Sequence, residues 1–152
     1  MTIKALYELF QSAVDQMSYD VDYGNGTVTQ MELKFTEDNY RLPFLWVFPP
    51  ASANTQYTNS IASGTSWSMA GFVAVEDDID ASDEDRMNAQ IMAEKVMADF
   101  VGKLRVIKTD DNNYFNEVSY NLEATFRNTN GVYSGYGFNI TASSDNLYDF
   151  CC

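Results

Sequence analysis

The stretch that decides the fold runs from Val118 to Ala142, VSYNLEATFRNTNGVYSGYGFNITA. Its first part places Val118, Tyr120, Leu122, Ala124 and Phe126 on even positions, alternating with Ser119, Asn121, Glu123, Thr125 and Arg127. Alternation with a period of two marks a strand with one face buried. After Asn130-Gly131, the residues Val132, Tyr136, Phe138, Ile140 and Ala142 are again even-numbered. A two-residue Asn-Gly loop would pair even residues with odd ones and set the two apolar faces against each other. Matching faces require an odd loop, so the spacing predicts a three-residue turn, Thr129-Asn130-Gly131, with Gly131 left-handed in a G1 bulge.

Working outward from this hairpin, Ser82-Asp83-Glu84-Asp85 reads as a helix start. Ser82 caps it, and three acids favour the positive end of the helix dipole. Ala89, Met92, Ala93, Val96, Phe100 and Leu104 line one side of the helix that follows. Ahead of it, Trp67, Met69, Val73 and Val75 share one parity from Ser66 to Val75, a strand with Gly71 as its weak point. The segment from Ala51 to Gly64, rich in Ser, Asn and Thr, reads as a loop or projecting excursion. Leu42-Pro43-Phe44-Leu45-Trp46-Val47-Phe48, closed by Pro49-Pro50, reads as a central strand buried on both faces, with Pro43 at its beginning. Both tryptophans, Trp46 and Trp67, belong to the core in this reading.

Nearer the start, Asn25-Gly26 reads as a turn into a strand on which Met31, Leu33 and Phe35 alternate with Glu32 and Lys34. Thr2 can cap a helix from about Ile3 to Met17, whose apolar face is Ile3, Leu6, Tyr7, Phe10, Val14 and Met17. The order is helix, three strands, helix, two strands. It predicts an α+β fold, with a mixed or mostly antiparallel sheet of about five strands packed against two helices. Residues 1–152 form one domain in this reading, and residues 143–152 are a C-terminal tail.

Composition excludes several roles. Of the 152 residues, 22 are acidic and 9 basic, a net charge of −13 that repels phosphate backbones and anionic membrane surfaces. No run approaches the roughly 20 apolar residues of a membrane span, and the first residues lack the pattern of a secretory signal. Cys151 and Cys152 are adjacent and terminal, so they cannot staple the fold together, and a reducing cytoplasm is the expected compartment of synthesis.

The search for chemistry returns little. Histidine is absent, which removes Ser-His-Asp and Cys-His arrangements and the common zinc sites. Gly24-Asn25-Gly26 and the glycines from Gly131 to Gly137 lack the strand–glycine–helix setting of a dinucleotide site. A calcium loop starting at Asp78 fails, because Asp83 stands where glycine is needed and Ala89 where a bidentate Glu is needed. The expectation is therefore no catalytic residue, no cofactor and no metal. Tyr133 and the tail residues Leu147, Tyr148 and Phe150 are instead the candidates for contact with other proteins, since an aromatic tail must dock on its own core or on a neighbour's sheet edge.

The layout resembles that of head-to-tail connector and tail-completion proteins of tailed bacteriophages, the neck-ring and tail-terminator-like structural proteins. The resemblance runs from about Ile3 to Phe150. It rests on element order and on two strings, LPFLWVFPP at residues 42–50 and DDIDASDEDR at residues 77–86. It implies an acidic, homo-oligomeric ring protein of the virion, made in the host cytoplasm and placed in the neck or tail. The portal and other neck or tail proteins would be its partners. DNA would pass through the ring without specific binding, and Asp77, Asp78 and Asp80 are the candidate acids of its lumen. The alternatives are another tail or baseplate component, or a carbohydrate-binding or hydrolytic domain using the aromatics and acids.

Overall fold

A computed structural model describes residues 3–37, 39–50, 52–58, 61–76, 82–107, 117–127 and 133–144. The chain is α+β. In chain order the elements are α1 (Ile3–Asp15), β1 (Asp22–Asn25), α2 (Val28–Thr36), β2 (Phe44–Val47), β3 (Ser52–Thr58), β4 (Ile61–Glu76), α3 (Asp83–Val106), β5 (Glu117–Arg127) and β6 (Tyr133–Ser144). The strands form one mostly antiparallel sheet in the order β1-β2-β4-β6-β5, with β3 also paired to β4; only β1 and β2 are parallel.

The parity that organises β4 explains the layers. Trp67, Met69, Val73 and Val75 join Leu45, Val47, Val118, Tyr136, Phe138, Ile140 and Ala142 in a core covered by α1 and α3. The intervening residues Phe72 and Ala74 turn the other way and join Phe44, Trp46 and Met31 in a second, smaller core under α2. Phe44, Leu45, Trp46 and Val47 are all buried because β2 lies where both faces of the sheet are covered. Burying each such side chain contributes about 1.5–3 kcal/mol. Where α2 no longer covers the sheet, the outward residues Ser119, Asn121, Glu123, Asn139 and Thr141 are exposed and polar.

Helix α3 begins as its sequence predicts. Ser82 Oγ accepts from the backbone N–H of Asp85, while the Asp85 carboxylate accepts from the Ser82 N–H, so two orphan donors are satisfied. Its inner face buries Ala89, Ala93, Val96, Met97, Phe100, Val101 and Leu104. Phe100 meets Phe10 of α1 edge to face at 5.8 Å. Asp99 accepts at 2.7 Å from the N–H of Ser18, just past the end of α1, which fastens the two helices together.

Three expectations need correction. Residues 28–36 are helix α2, not a strand. Thr27 and Gln30 form a reciprocal cap, and Met31 and Phe35, four residues apart, point into the second core while Leu33 is 56% exposed. The helices therefore number three among the described residues. Of the two readings of the polar stretch after Ala51, the irregular loop is wrong and the excursion is nearer: Ser52–Thr58 is β3, and β4 begins at Ile61, the two pairing antiparallel from Ser52↔Ser68 to Thr58↔Ile61. Backbone partners, not apolar side chains, are what a two-stranded ribbon needs.

The third correction concerns the β5–β6 register. Even residues do face even ones, Val118↔Ala142, Tyr120↔Ile140, Leu122↔Phe138 and Ala124↔Tyr136. The register then shifts between Ala124 and Phe126, giving Phe126↔Gly135 and Arg127↔Ser134. The extra residue thus lies inside β5 at Thr125, and parity no longer demands an odd turn. The turn at Thr129-Asn130-Gly131 and the cap at Thr2 lie outside the described residues.

Candidate functional site

The surfaces available to partners follow from how the strands end. β2 and β3 lie in series along one edge of β4, separated by Pro49-Pro50: β2 pairs with residues 71–74 of β4, and β3 with residues 61–68. On the other edge, β6 reaches only from Glu76 back to Thr65. The first residues of β4, Ile61 to Gly64, consequently have β3 as their one strand neighbour among the described residues. The result is a two-stranded arm that leaves the body of the sheet. The arm is short: Gln56–Thr58 pairs with Ile61–Gly64, and at about 3.4 Å per residue those four residues of β4 reach on the order of 14 Å past the end of the ladder with β6.

At the opposite end of β4, Glu76 pairs with Tyr133, the first residue of β6. The backbone of the nominated contact residue Tyr133 therefore lies beside the residue that precedes the acidic segment, and Ser82 resumes the chain as the cap of α3. Asp77, Asp78 and Asp80, and Leu147, Tyr148 and Phe150, lie outside the described residues.

A polar recess of about 590 Å³ opens between the end of α1 and β1; its wall includes Gln11, Asp15, Tyr19, Asp20, Tyr23 and Arg41. Arg41 donates from its guanidinium to Asp20 at 2.9 Å and from its backbone N–H to Asp22 at 3.0 Å. The Arg41–Asp20 pair is largely exposed and worth little in stability. Asp22 also faces Lys34 of α2 at 3.9 Å, and the Lys34 ammonium sits 5.3 Å from the Phe44 ring centroid. The Tyr23 hydroxyl is buried, and among the described residues no group meets it in hydrogen-bond geometry. Burial holds its phenol well above the usual tyrosine range; Asn25, two residues along the strand, opposes this weakly. The exposed carboxylates of Asp15 and Asp20 suit the recess to hydrogen bonding a polar group. Sequence reasoning missed it because its residues come from a helix end, an edge strand and the approach to β2, with no shared spacing.

No helix among the described residues is long and apolar enough to cross a membrane. Among the same residues, no group of three or more His, Cys, Asp or Glu is placed to hold a metal ion. No protein-family model matches the chain, and no curated protein matches it.

Proposed function

We propose that this chain is a structural protein of a tailed-phage virion, one subunit of a ring that joins head to tail or caps the tail tube. The observation that carries the reading is the β3–β4 arm. A ring closes when one surface of each subunit meets a different surface of the next, and a ribbon whose tip, Gln56–Thr58 with Ile61–Gly64, extends past the other strands among the described residues is suited to reach a neighbour in this way. The edge strand β5, at the end of the strand order, offers a backbone ladder that such a ribbon or a tail segment can extend. In this reading Leu147, Tyr148 and Phe150 dock on a neighbour. Asp77, Asp78 and Asp80 face the lumen, where negative charge lets DNA slide without being gripped.

The test is electron microscopy of particles assembled without the protein. Heads and tails that fail to join, and that join when the purified chain is added, support the ring reading; intact particles overturn it. Acids found on the outer rim of an assembled ring would remove the lumen assignment alone. A second reading, carbohydrate binding, draws on the polar recess beside Tyr19 and Tyr23. A glycan panel tests it, and saturable binding lost in Asp15→Asn and Asp20→Asn is the result that would favour it.

A further inference from the structure

Helix α3 buries one face and, among the described residues, leaves a second run of apolar positions uncovered on the other. Opposite the buried face, Met87, Ile91, Ala98, Gly102 and Val106 fall along one stripe at helical spacing. Met87, Ile91 and Val106 are 57%, 38% and 66% exposed, Ala98 is exposed, and a Cβ added to Gly102 would meet nothing. Glycine inside a helix lowers its stability, and side chains left in water gain nothing from being apolar. Neither choice helps the isolated chain.

The order along the stripe is more informative than its composition. From Met87 to Gly102 the bulky residues occupy the first half and the small ones the second, with Glu94 and Lys95, both exposed, at the midpoint; Val106 lies beyond this stretch, at the margin of the face. The first turn carries Asp83, Glu84 and Asp85, and the last turn Lys103 and Arg105. Turned end for end about the point between Glu94 and Lys95, the face fits itself. Met87 then stands opposite Gly102, Ile91 opposite Ala98, Glu94 opposite Lys95, and Glu84 opposite Arg105. A parallel alignment would instead set Glu94 against Glu94 and acidic end against acidic end.

We infer that this face is the docking surface for a second copy of the chain, the two α3 helices packing antiparallel about a two-fold axis. Small residues opposite large ones let the helices approach closely, the unlike charges meet in symmetric pairs, and the opposed dipoles are favourable. The contact is isologous, whereas a ring uses heterologous contacts, so the pairing does not rest on the ring reading and can fail or hold independently of it.

Sedimentation of the full chain tests the proposal. The wild type is expected to pass from monomer to dimer as its concentration is raised towards about 1 mM. Glu94→Lys and Lys95→Glu each set like charges across the axis and should weaken the dimer about tenfold. Mixing these two variants should restore association, as should the double exchange E94K/K95E in one chain, because either arrangement again opposes unlike charges. Gly102→Leu should abolish pairing without lowering Tm, since its side chain enters open space in the monomer. A wild type that stays monomeric throughout overturns the proposal. So does an oligomer unmoved by Glu94→Lys, Lys95→Glu and Gly102→Leu, or a mixture that fails to restore association.

Discussion

The indole N–H of Trp46 donates to the backbone carbonyl of Gly26 at 3.0 Å, tying the middle of β2 to the turn that leads into α2. The same indole packs against Gly24, its partner in the β1–β2 ladder, where a Cβ would collide with the ring. Gly26 adopts φ +139°, a conformation that other residues rarely reach. Trp46→Phe keeps an aromatic ring but leaves that carbonyl without its donor, and is expected to cost about 1–3 kcal/mol in denaturant unfolding. Gly24→Ala should cost a similar amount by overpacking, about 1–3 kcal/mol.

Gly71 in β4 stands to Phe138 in β6 much as Gly24 does to Trp46. The two are register partners, and a Cβ at position 71 would meet both the Phe138 ring and the Trp46 carbonyl. Gly71→Ala is expected to destabilise by about 1–3 kcal/mol. In a double-mutant cycle with Phe138→Leu, the combined loss should be smaller than the sum of the two, because the smaller side chain vacates the space the methyl needs.

Helix α2 makes a contrast between neighbours. Met31 is buried and Leu33 is 56% exposed. Met31→Ala should cost about 2–4 kcal/mol, whereas Leu33→Lys should stay within about 0.5 kcal/mol of wild type by thermal or denaturant unfolding. A strand over residues 31–35 would make both substitutions costly, so the pair of measurements separates the two conformations.

That contrast also shows where sequence patterning loses resolution. Met31 and Phe35 are four residues apart, a spacing that fits both a period of two and a helical turn. Leu33 fits the buried face only in a strand, and its 56% exposure in the helix separates the two. The deciding signal was present in Thr27-x-x-Gln30, whose side chains cap the helix reciprocally. The elements with sustained periodicity, β6, α1 and α3, and the odd-numbered core face of β4, were legible because each buries an apolar face; β2 was legible as an unbroken apolar run, and β5 from its alternation, although Val118 is buried and Tyr120 is exposed. β3 was not, since a ribbon is held by backbone partners that composition does not record. The polar recess was equally illegible, assembled as it is from residues 11 to 41 with no motif.

Deletion mutants probe the irregularity in β5. Removing Thr125 leaves every observed register pair of the β5–β6 ladder in place. Removing Asn121 shifts the residues before it by one and turns Val118 and Tyr120 to the opposite face. The first variant is expected to fold with hydrogen-exchange protection in β6 close to wild type, and the second to lose that protection.

The caps predict a pH dependence. Hydrogen bonds from the Ser82 side chain and backbone hold the Asp85 carboxyl below the usual aspartate value. A group depressed in the folded state adds stability above its unfolded pKa and loses it as pH falls through its folded pKa. Carbon-detected NMR titration should find Asp85 titrating at higher pH in Ser82→Ala than in wild type. The substitution should also lower stability at neutral pH by about 1 kcal/mol, through the lost cap.

β4 continues without a break from the arm into the centre of the sheet, so the arm and the body share a single mechanical member. A load applied at Ile61 is carried along the strand to the ladder with β6, which runs from Thr65 to Glu76. Those hydrogen bonds lie across the direction of pull and are strained together, not unzipped one after another. An appendage built in this way behaves as a tether whose anchorage lies in the interior, and it resists tearing for as long as the central strands hold.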